Sequence, residues 1–362
     1  MLCQPCAPTS VAGATAAAET AVARTPRYNA VLADMERGKT VLLDGPISTE
    51  LDSRGLKMSE GRENMAAINE PDALIQLHKD YIAAGSRVIT AHTFSRFKAH
   101  TGAELFEPLN RCAVECAVEA RRQAGLEDSV LVAGSVAYHS YSPVTGNMNP
   151  DQPVDVWERE LMEMVAIHKA AGADLLLLEM MGGPEYTAAA IRAAQAQRIP
   201  FWLGFSAYSG RAETGRRGDG MLRVMDNHPH TPLKEALPDL IRLATKGPDG
   251  NSQDTGCDLI GAMHTKPRDI EGVLSAVQEH WDGPLLCYPD DVGADPETAE
   301  EILSNGDSLG GMKTEQYVNH CLGWHRAFPR CRLLGACCGF NPSHIAALTA
   351  GLAAAAPGGG AL

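Results

Sequence analysis

The sequence predicts an α/β protein built as a single (β/α)8 TIM barrel, and three observations carry that prediction. Short β-branched or Leu-rich runs recur along the chain, each followed by a segment of helical periodicity. These runs are nearly continuous in apolar residues, which fits strands covered on both faces, as in a parallel sheet. Neither GxGxxG nor GxxxxGKS/T is present, so the usual mark of an open doubly wound sheet is missing. Eight strand–helix alternations over roughly 320 residues match the closed barrel better.

In order, strands are expected at Thr40–Asp44, Arg87–Thr93, Ser129–Val136, Asp174–Glu179, Pro200–Ser206, Asp258–His264, Pro284–Pro289 and Leu333–Cys338. Helices fill the intervals. After Pro71, the residues Leu74, Leu77, His78, Tyr81 and Ile82 share one face, and Gly85 closes the segment. The stretch with Trp157, Leu161, Met164, Val165 and His168 behaves the same way and ends at Gly172. In the last unit Asn341 is placed to cap, Pro342 to open, and Ile345 and Leu348 to face inward. The segment from Gly210 to Asn251, rich in Gly, Arg and Pro, is expected as loop and helix after the fifth strand.

Residues 1–38 are expected to be a mobile N-terminal extension, residues 39–352 the barrel, and residues 353–362 a flexible Gly/Ala tail. The Ala-, Thr- and Ser-rich start lacks the basic beginning and apolar middle of a secretory signal. Composition is that of a soluble globular protein, with 44% hydrophobic and 21% charged residues. A net charge of -14 repels phosphate backbones and no basic cluster is interleaved with aromatics, which argues against nucleic-acid partners. No apolar run reaches the roughly 18 residues of a membrane span. Ten cysteines in a chain too large to need disulfide staples point to a reduced, cytoplasmic setting. Clusters of Cys are then to be weighed as metal or catalytic sites. Cys3 and Cys6 form a CxxC with no second pair, and no oligomerisation signal stands out.

Barrel active sites lie at the C-terminal ends of the strands. Those ends deliver Asp44, His92 and Thr93, then Tyr138 and His139, Glu179, His264, Cys287, Tyr288, Asp290 and Asp291, and finally Cys337 and Cys338. Titratable and metal-binding residues crowd this rim and not the opposite one. Cys337 and Cys338 stand between a strand and a helix start, where the helix dipole favours the thiolate that binds zinc. The plainer reading is two small buried hydrophobes, but flanking glycines at a barrel strand end favour the metal. His264 is the natural third ligand, with a hydrogen-bonded structural His as the alternative. Three protein ligands leave one zinc position open for a substrate thiol. Glu179 closes a four-Leu run, where a carboxylate needs a partner; a substrate ammonium or a rim Lys or Arg would serve. Asp44 has the same two readings. Together they suggest a site for an amino-acid head group, with Thr93 and backbone N–H groups facing its carboxylate.

An ordered set of signposts resembles the homocysteine S-methyltransferases from about Val41 to Ala350. They are Leu-Leu-Asp-Gly with Thr49-Glu50-Leu51, Glu70-Pro71 through His78, Tyr81 and Ala84-Gly85, Thr93-Phe94, Ala133-Gly134-Ser135, Glu179, Tyr288-Pro289 and Gly335-Ala336-Cys337-Cys338-Gly339. Pro342, His344 and Ile345 complete the last. The resemblance implies that Cys337 and Cys338 hold zinc, that Asp44 and Glu179 contact the homocysteine amino group, and that Thr93 lies near its carboxylate. It further implies a cytoplasmic enzyme of methionine biosynthesis, with small-molecule partners. The acceptor thiol attacks a methyl group on an onium donor in line. The chain has no room for folate, cobalamin and activation domains, so the donor is small: S-methylmethionine, S-adenosylmethionine or a betaine. Tyr138 and Tyr288 are candidates for contact with a betaine cation.

The chain departs from the family pattern around the pocket. His264, in Gly261-Ala262-Met263-His264, replaces the third Cys of a Gly-Val-Asn-Cys element, with Cys287 as a rival ligand. A Cys2His site is chemically reasonable and one charge less negative. Asp44-Gly45-Pro46 stands for Asp-Gly-Gly, Ala91-His92-Thr93 for Thr-Asn-Thr, and Tyr288-Pro289-Asp290 for Tyr-Pro-Asn. The alternatives are a family member acting on another thiol, selenol or onium compound, and a barrel that holds the metal without turnover. A lyase or isomerase using Asp and Glu as acid and base leaves Cys-Cys unexplained.

Overall fold

The computed structural model describes residues 22–56, 65–94, 97–137, 153–209, 221–224, 231–246, 254–291 and 312–355. Eight parallel strands form one sheet: β1 Val41–Leu42, β2 Val88–Thr90, β3 Leu131–Ala137, β4 Leu175–Met181, β5 Phe201–Phe205, β6 Cys257–Met263, β7 Leu285–Tyr288 and β8 Cys331–Leu334. Neighbours follow the order β1-β8-β7-β6-β5-β4-β3-β2. A parallel bridge between Leu43 and Val88 joins β1 to β2 and closes the ring. The arrangement is the expected (β/α)8 barrel.

Alternation along each strand divides the core in two. One set, including Val41, Leu43, Val88, Leu131, Leu177, Trp202, Leu286 and Leu333, fills the barrel interior. The other set, including Leu42, Ile89, Val132, Leu178, Leu203 and Leu334, packs against the surrounding helices. Both faces are therefore apolar, which is why the strands read as unbroken hydrophobic runs. Where β6 meets β7, a Cβ on Gly261 would lie 1.9 Å from the Leu286 carbonyl oxygen, so only glycine fits.

The expected helix ends hold. Pro71–Ala84 opens on proline and closes on Gly85 at φ 113, while Val154–Ala171 closes on Gly172 at φ 103. In the last helix, Pro342–Ala355, Asn341 Oδ1 accepts from the Ser343 amide at 3.0 Å, and Ile345 and Leu348 are buried. The segment after β5 supplies a short antiparallel ribbon, Ala207–Tyr208 with Arg223–Val224, and the helix Leu233–Lys246.

Three expected boundaries differ in the structure. Residues 26–36, assigned to a mobile extension, form the helix Pro26–Glu36, with the Thr25 side chain accepting from the Tyr28 amide. Tyr28, Val31 and Met35 belong to the interior cluster, so this helix plugs the barrel floor. Tyr28 Oη donates to Asp258 Oδ2 at 2.7 Å and accepts from Trp202 Nε1 at 2.8 Å, which ties the plug to the foot of β6 and to β5. Likewise, β8 spans Cys331–Leu334 and not Leu333–Cys338, because the chain leaves the ladder at Gly335. The last helix runs to Ala355, past the start of the expected tail. Residues 1–21 and 356–362, with Cys3 and Cys6, lie outside the described residues, as do Tyr138 and His139. No helix among the described residues is long and apolar enough to cross a membrane.

Candidate active site

The chain turns off β6 at His264, the first residue past the strand, which adopts φ 42. That left-handed backbone is several-fold commoner for His, Asn and Asp than for other side chains and costs on the order of 1–3 kcal/mol. Such strain persists only where neighbours enforce it. Here the His264 amide donates to the Tyr288 carbonyl at 3.1 Å, and Ser206 Oγ donates to the Met263 carbonyl at 2.8 Å.

The kink brings His264 Nδ1 to 3.3 Å from Cys337 Sγ and 4.0 Å from Cys338 Sγ, while the two sulfurs stand 3.8 Å apart. Four-coordinate zinc, with bonds of about 2.3 Å to sulfur and about 2.0 Å to nitrogen, sets S···S near roughly 3.8 Å and S···N near roughly 3.5 Å. The three donors thus match one tetrahedral ion to within about half an ångström, and they are the one such group among the described residues. Cys287 is not near them. Its side chain packs in the outer layer between strands and helices, where burial and the neighbouring Cys331 and Cys321 push its thiol well above the usual range.

Within the group the protons are unequally held. The hydrogen bond from Cys337 draws Cys338 down to about 5, and the His264 imidazole adds to the effect. Cys337 is pushed up in return, by that same bond and by burial. Burial disfavours a charged His264, but the Cys338 thiolate and the Asp290 carboxylate outweigh it and raise the imidazole. A metal binding to this group would displace the protons that His264, Cys337 and Cys338 hold.

Next to this group stand the two carboxyls. The register of β4 against β5 shifts between Leu178 and Met181, and Met180 adopts φ 51. This bulge re-aims the end of the strand. It sets Glu179 where Ser135 Oγ donates to Oε2 and Tyr288 Oη donates to Oε1 at 3.1 Å. Burial pushes the Glu179 carboxyl up to about 7 in spite of those bonds. Asp44 accepts from the Thr90 amide at 2.7 Å and from Thr90 Oγ1 at 2.9 Å, and burial holds it well above the ordinary carboxylate range. Both are buried, at 7% and 1% exposure, and each is held by neutral donors only among the bonds just described.

Of the residues expected on the rim, His264, Cys337 and Cys338 converge. Glu179 is near enough that the charges of Cys338 and His264 bear on it, and its own charge bears on Asp44. Thr93 is fully buried, and its hydroxyl donates to the Ser135 carbonyl at 2.8 Å, so it ties the end of β2 to β3. His92, on the same turn, has Nε2 3.0 Å from Ser48 Oγ. Sequence reasoning did not single out Thr90 as the support of Asp44, nor Ser135 and Tyr288 as the supports of Glu179. The available signal was their polarity inside otherwise apolar strands.

The homocysteine S-methyltransferase profile matches residues 41–352. The chain is 25% identical over 334 residues to homocysteine S-methyltransferase YbgG of Bacillus subtilis, covering 86% of this chain and 93% of that one. It is 24% identical over 340 residues to the homocysteine S-methyltransferase of Escherichia coli, with 89% and 98% covered. Against betaine–homocysteine S-methyltransferase 1 of Bos taurus it is 25% identical over 337 residues, with 89% and 74% covered. The metallated form of the homocysteine methyltransferase MmuM from Escherichia coli superposes with a TM-score of 0.61 at 21% identity, covering 88% of this chain and 98% of that one, a likeness of fold.

Proposed function

The chain belongs to the homocysteine S-methyltransferase family, and from that premise we propose that this methyltransferase is zinc-dependent, with homocysteine as acceptor and a small onium compound as donor. The donor would be S-methylmethionine, S-adenosylmethionine or a betaine, and the product methionine. The observation that carries the reading is the spacing of His264, Cys337 and Cys338, which matches tetrahedral zinc with one position left for a thiol. Zinc held by these three residues would lower the pKa of the acceptor thiol and present it as a thiolate at neutral pH.

The chain's own residues then do the binding and orienting. Glu179 and Asp44 are buried carboxyls at the barrel mouth, and an ammonium group arriving beside them favours their charged forms. Ser135, Tyr288 and Thr90 hold the two carboxyls in place, so the amino group of the acceptor is fixed relative to its sulfur. In the transfer the sulfur lone pair forms the new S–CH3 bond, and the bond from methyl to the onium centre breaks. Its electron pair leaves with the donor, whose onium centre becomes neutral. Orientation by the barrel rim converts the encounter into a near-unimolecular step. A cytoplasmic, reducing setting suits this chemistry, since both cysteines must stay unoxidised.

A second reading concerns the acceptor alone. His92 and His264 stand where the family pattern has Asn and Cys, and these departures beside the pocket are what would suit a related thiol or selenol as substrate. The test is metal content together with methyl transfer to homocysteine and to a thiol panel, for wild type, His264→Ala and Cys338→Ala. About one zinc per chain, lost in both variants along with methionine formation, is the expected result. Full zinc without transfer to any thiol would overturn the catalytic reading in favour of a metal-holding barrel. A wild type devoid of zinc after reducing purification would overturn the metal.

A further inference from the structure

Four backbone hydrogen bonds run from the segment after β7 to both halves of the donor group. The His264 amide donates to the Tyr288 carbonyl at 3.1 Å, and the Asp290 amide donates to the Thr265 carbonyl at 3.1 Å. On the other side the Cys337 amide donates to the Pro289 carbonyl at 2.9 Å, and the Asp291 amide donates to the Cys338 carbonyl at 3.1 Å. The stretch Tyr288–Asp291 is therefore the spacer between the loop carrying His264 and the loop carrying Cys337 and Cys338. Both of its acidic side chains are anchored. Asp291 Oδ2 accepts from the Met312 amide at 2.6 Å, and Asp290 Oδ2 pairs with Lys266 Nζ at 2.8 Å.

The Lys266–Asp290 pair is the one side-chain link among these that crosses from the spacer to the His264 turn. Asp290 is 4% exposed, and a carboxylate so buried demands its cationic partner. Lys266 stands two residues past His264 and immediately before the helix Pro267–Gln278, so the pair fixes the exit of the turn as the Tyr288 carbonyl fixes its entry. Without the pair, the exit of the turn keeps the Asp290–Thr265 backbone bond but loses its side-chain anchor, and a left-handed His264 so loosened would shift its imidazole relative to the sulfurs.

We propose that Lys266 and Asp290 are positioning residues: their ion pair locks the His264 turn against the spacer, so that the three donors stand preassembled before a metal arrives. This rests on the three-donor reading above. Groups that orient metal ligands in this way typically change metal affinity by roughly 10- to 100-fold when removed.

The full-length, metal-free protein is titrated with Co(II), following the thiolate-to-cobalt and d–d absorption, and its zinc affinity is measured by chelator competition. Wild type, Asp290→Asn, Lys266→Met and the exchanged double variant Lys266→Asp/Asp290→Lys are compared. We expect zinc to bind about tenfold more weakly or worse in each single variant, with weaker and shifted d–d bands. Restoration in the exchanged variant would add support. A role in general stability would lower the melting temperature of the metal-free protein and leave the cobalt spectrum unmoved. Zinc affinities and cobalt bands equal to wild type in Asp290→Asn and Lys266→Met would overturn the lock while leaving the metal site intact. A wild type with no thiolate–cobalt band would overturn the three-donor reading itself, and the lock with it.

Discussion

Tyr288 Oη donates to Glu179 Oε1 across 3.1 Å, so the side chain that ends β7 steadies the carboxyl carried by the bulge in β4. In Tyr288→Phe the ring keeps its place in the interior and only this bond is lost. A hydrogen bond to a carboxylate contributes about 1.5–3 kcal/mol, and about 1.4 kcal/mol corresponds to a tenfold change in affinity. We expect the acceptor KM to rise roughly tenfold while kcat changes by less than about threefold, because Ser135 still holds the other oxygen. Steady-state kinetics with homocysteine checks this, and an unchanged KM would show that Glu179 does not meet the acceptor.

Glu179 also sets a pH dependence. Its carboxyl is raised from 4.5 to about 7 by burial, so the folded protein holds this proton more tightly than the unfolded chain does. The resulting stability is complete below 4.5 and is lost as pH rises through about 7. At roughly 1.4 kcal/mol per unit, the amount is on the order of 3–4 kcal/mol. Glu179→Gln is permanently neutral and escapes the loss. We expect thermal scans of the metal-free variant to match wild type near pH 4 and to exceed it at pH 8. Acceptor binding has the opposite sense in wild type, strengthening as the carboxylate forms. A Glu179→Gln melting temperature that tracks wild type across this range would sink the argument.

The donor group can be tested without kinetics. Anything bound to the folded state alone stabilises it by about 2.7 kcal/mol at a hundredfold excess over its Kd. Zinc added to the metal-free protein should therefore raise the melting temperature by several degrees in wild type and leave Cys338→Ala nearly unmoved. Equal shifts in the two would place the ion elsewhere.

The barrel was legible because its strands are buried on both faces and so stand out as apolar runs between helices that end on Gly85 and Gly172. The rim was legible because barrel topology sends every strand end to one side. What escaped was local backbone geometry. The bulge at Glu179 and the left-handed turn at His264 depend on register against neighbouring strands, which no single run of residues encodes. Tyr28, Val31 and Met35 do have helical spacing behind Thr25 and Pro26, a recognisable start, but the low-complexity run before them drew the whole segment into an expected extension. Lys266 and Asp290 lie 24 positions apart, and only the fold brings them together.

That plug helix yields a sharp stability prediction. Tyr28 Oη is buried between the Asp258 carboxylate and the Trp202 indole N–H. Tyr28→Phe leaves both without this partner, although Asp258 retains Arg24 at 3.0 Å. Orphaning a buried polar group costs about 1–3 kcal/mol, so we expect urea unfolding to register a loss of about 2 kcal/mol with metal affinity unchanged. A loss under about 0.5 kcal/mol would mean that the plug is not held by this bond.

His264→Cys asks why the chain carries an imidazole at a position where a thiolate would also bind zinc. A third thiolate adds negative charge and a softer donor, so zinc affinity should rise and the thiolate-to-cobalt band of the Co(II) form should intensify by about half. The backbone works against the exchange. At φ 42 a histidine is far better tolerated than a cysteine, and forcing the turn on the substituted side chain costs on the order of 1 kcal/mol in the metal-free protein. We therefore expect His264→Cys to be less stable than wild type without metal and more strongly stabilised by zinc, so that the two melting curves converge or cross on loading. If the variant gains neither affinity nor cobalt-band intensity, the side chain at this position does not reach the ion, and the strain at His264 would need another explanation.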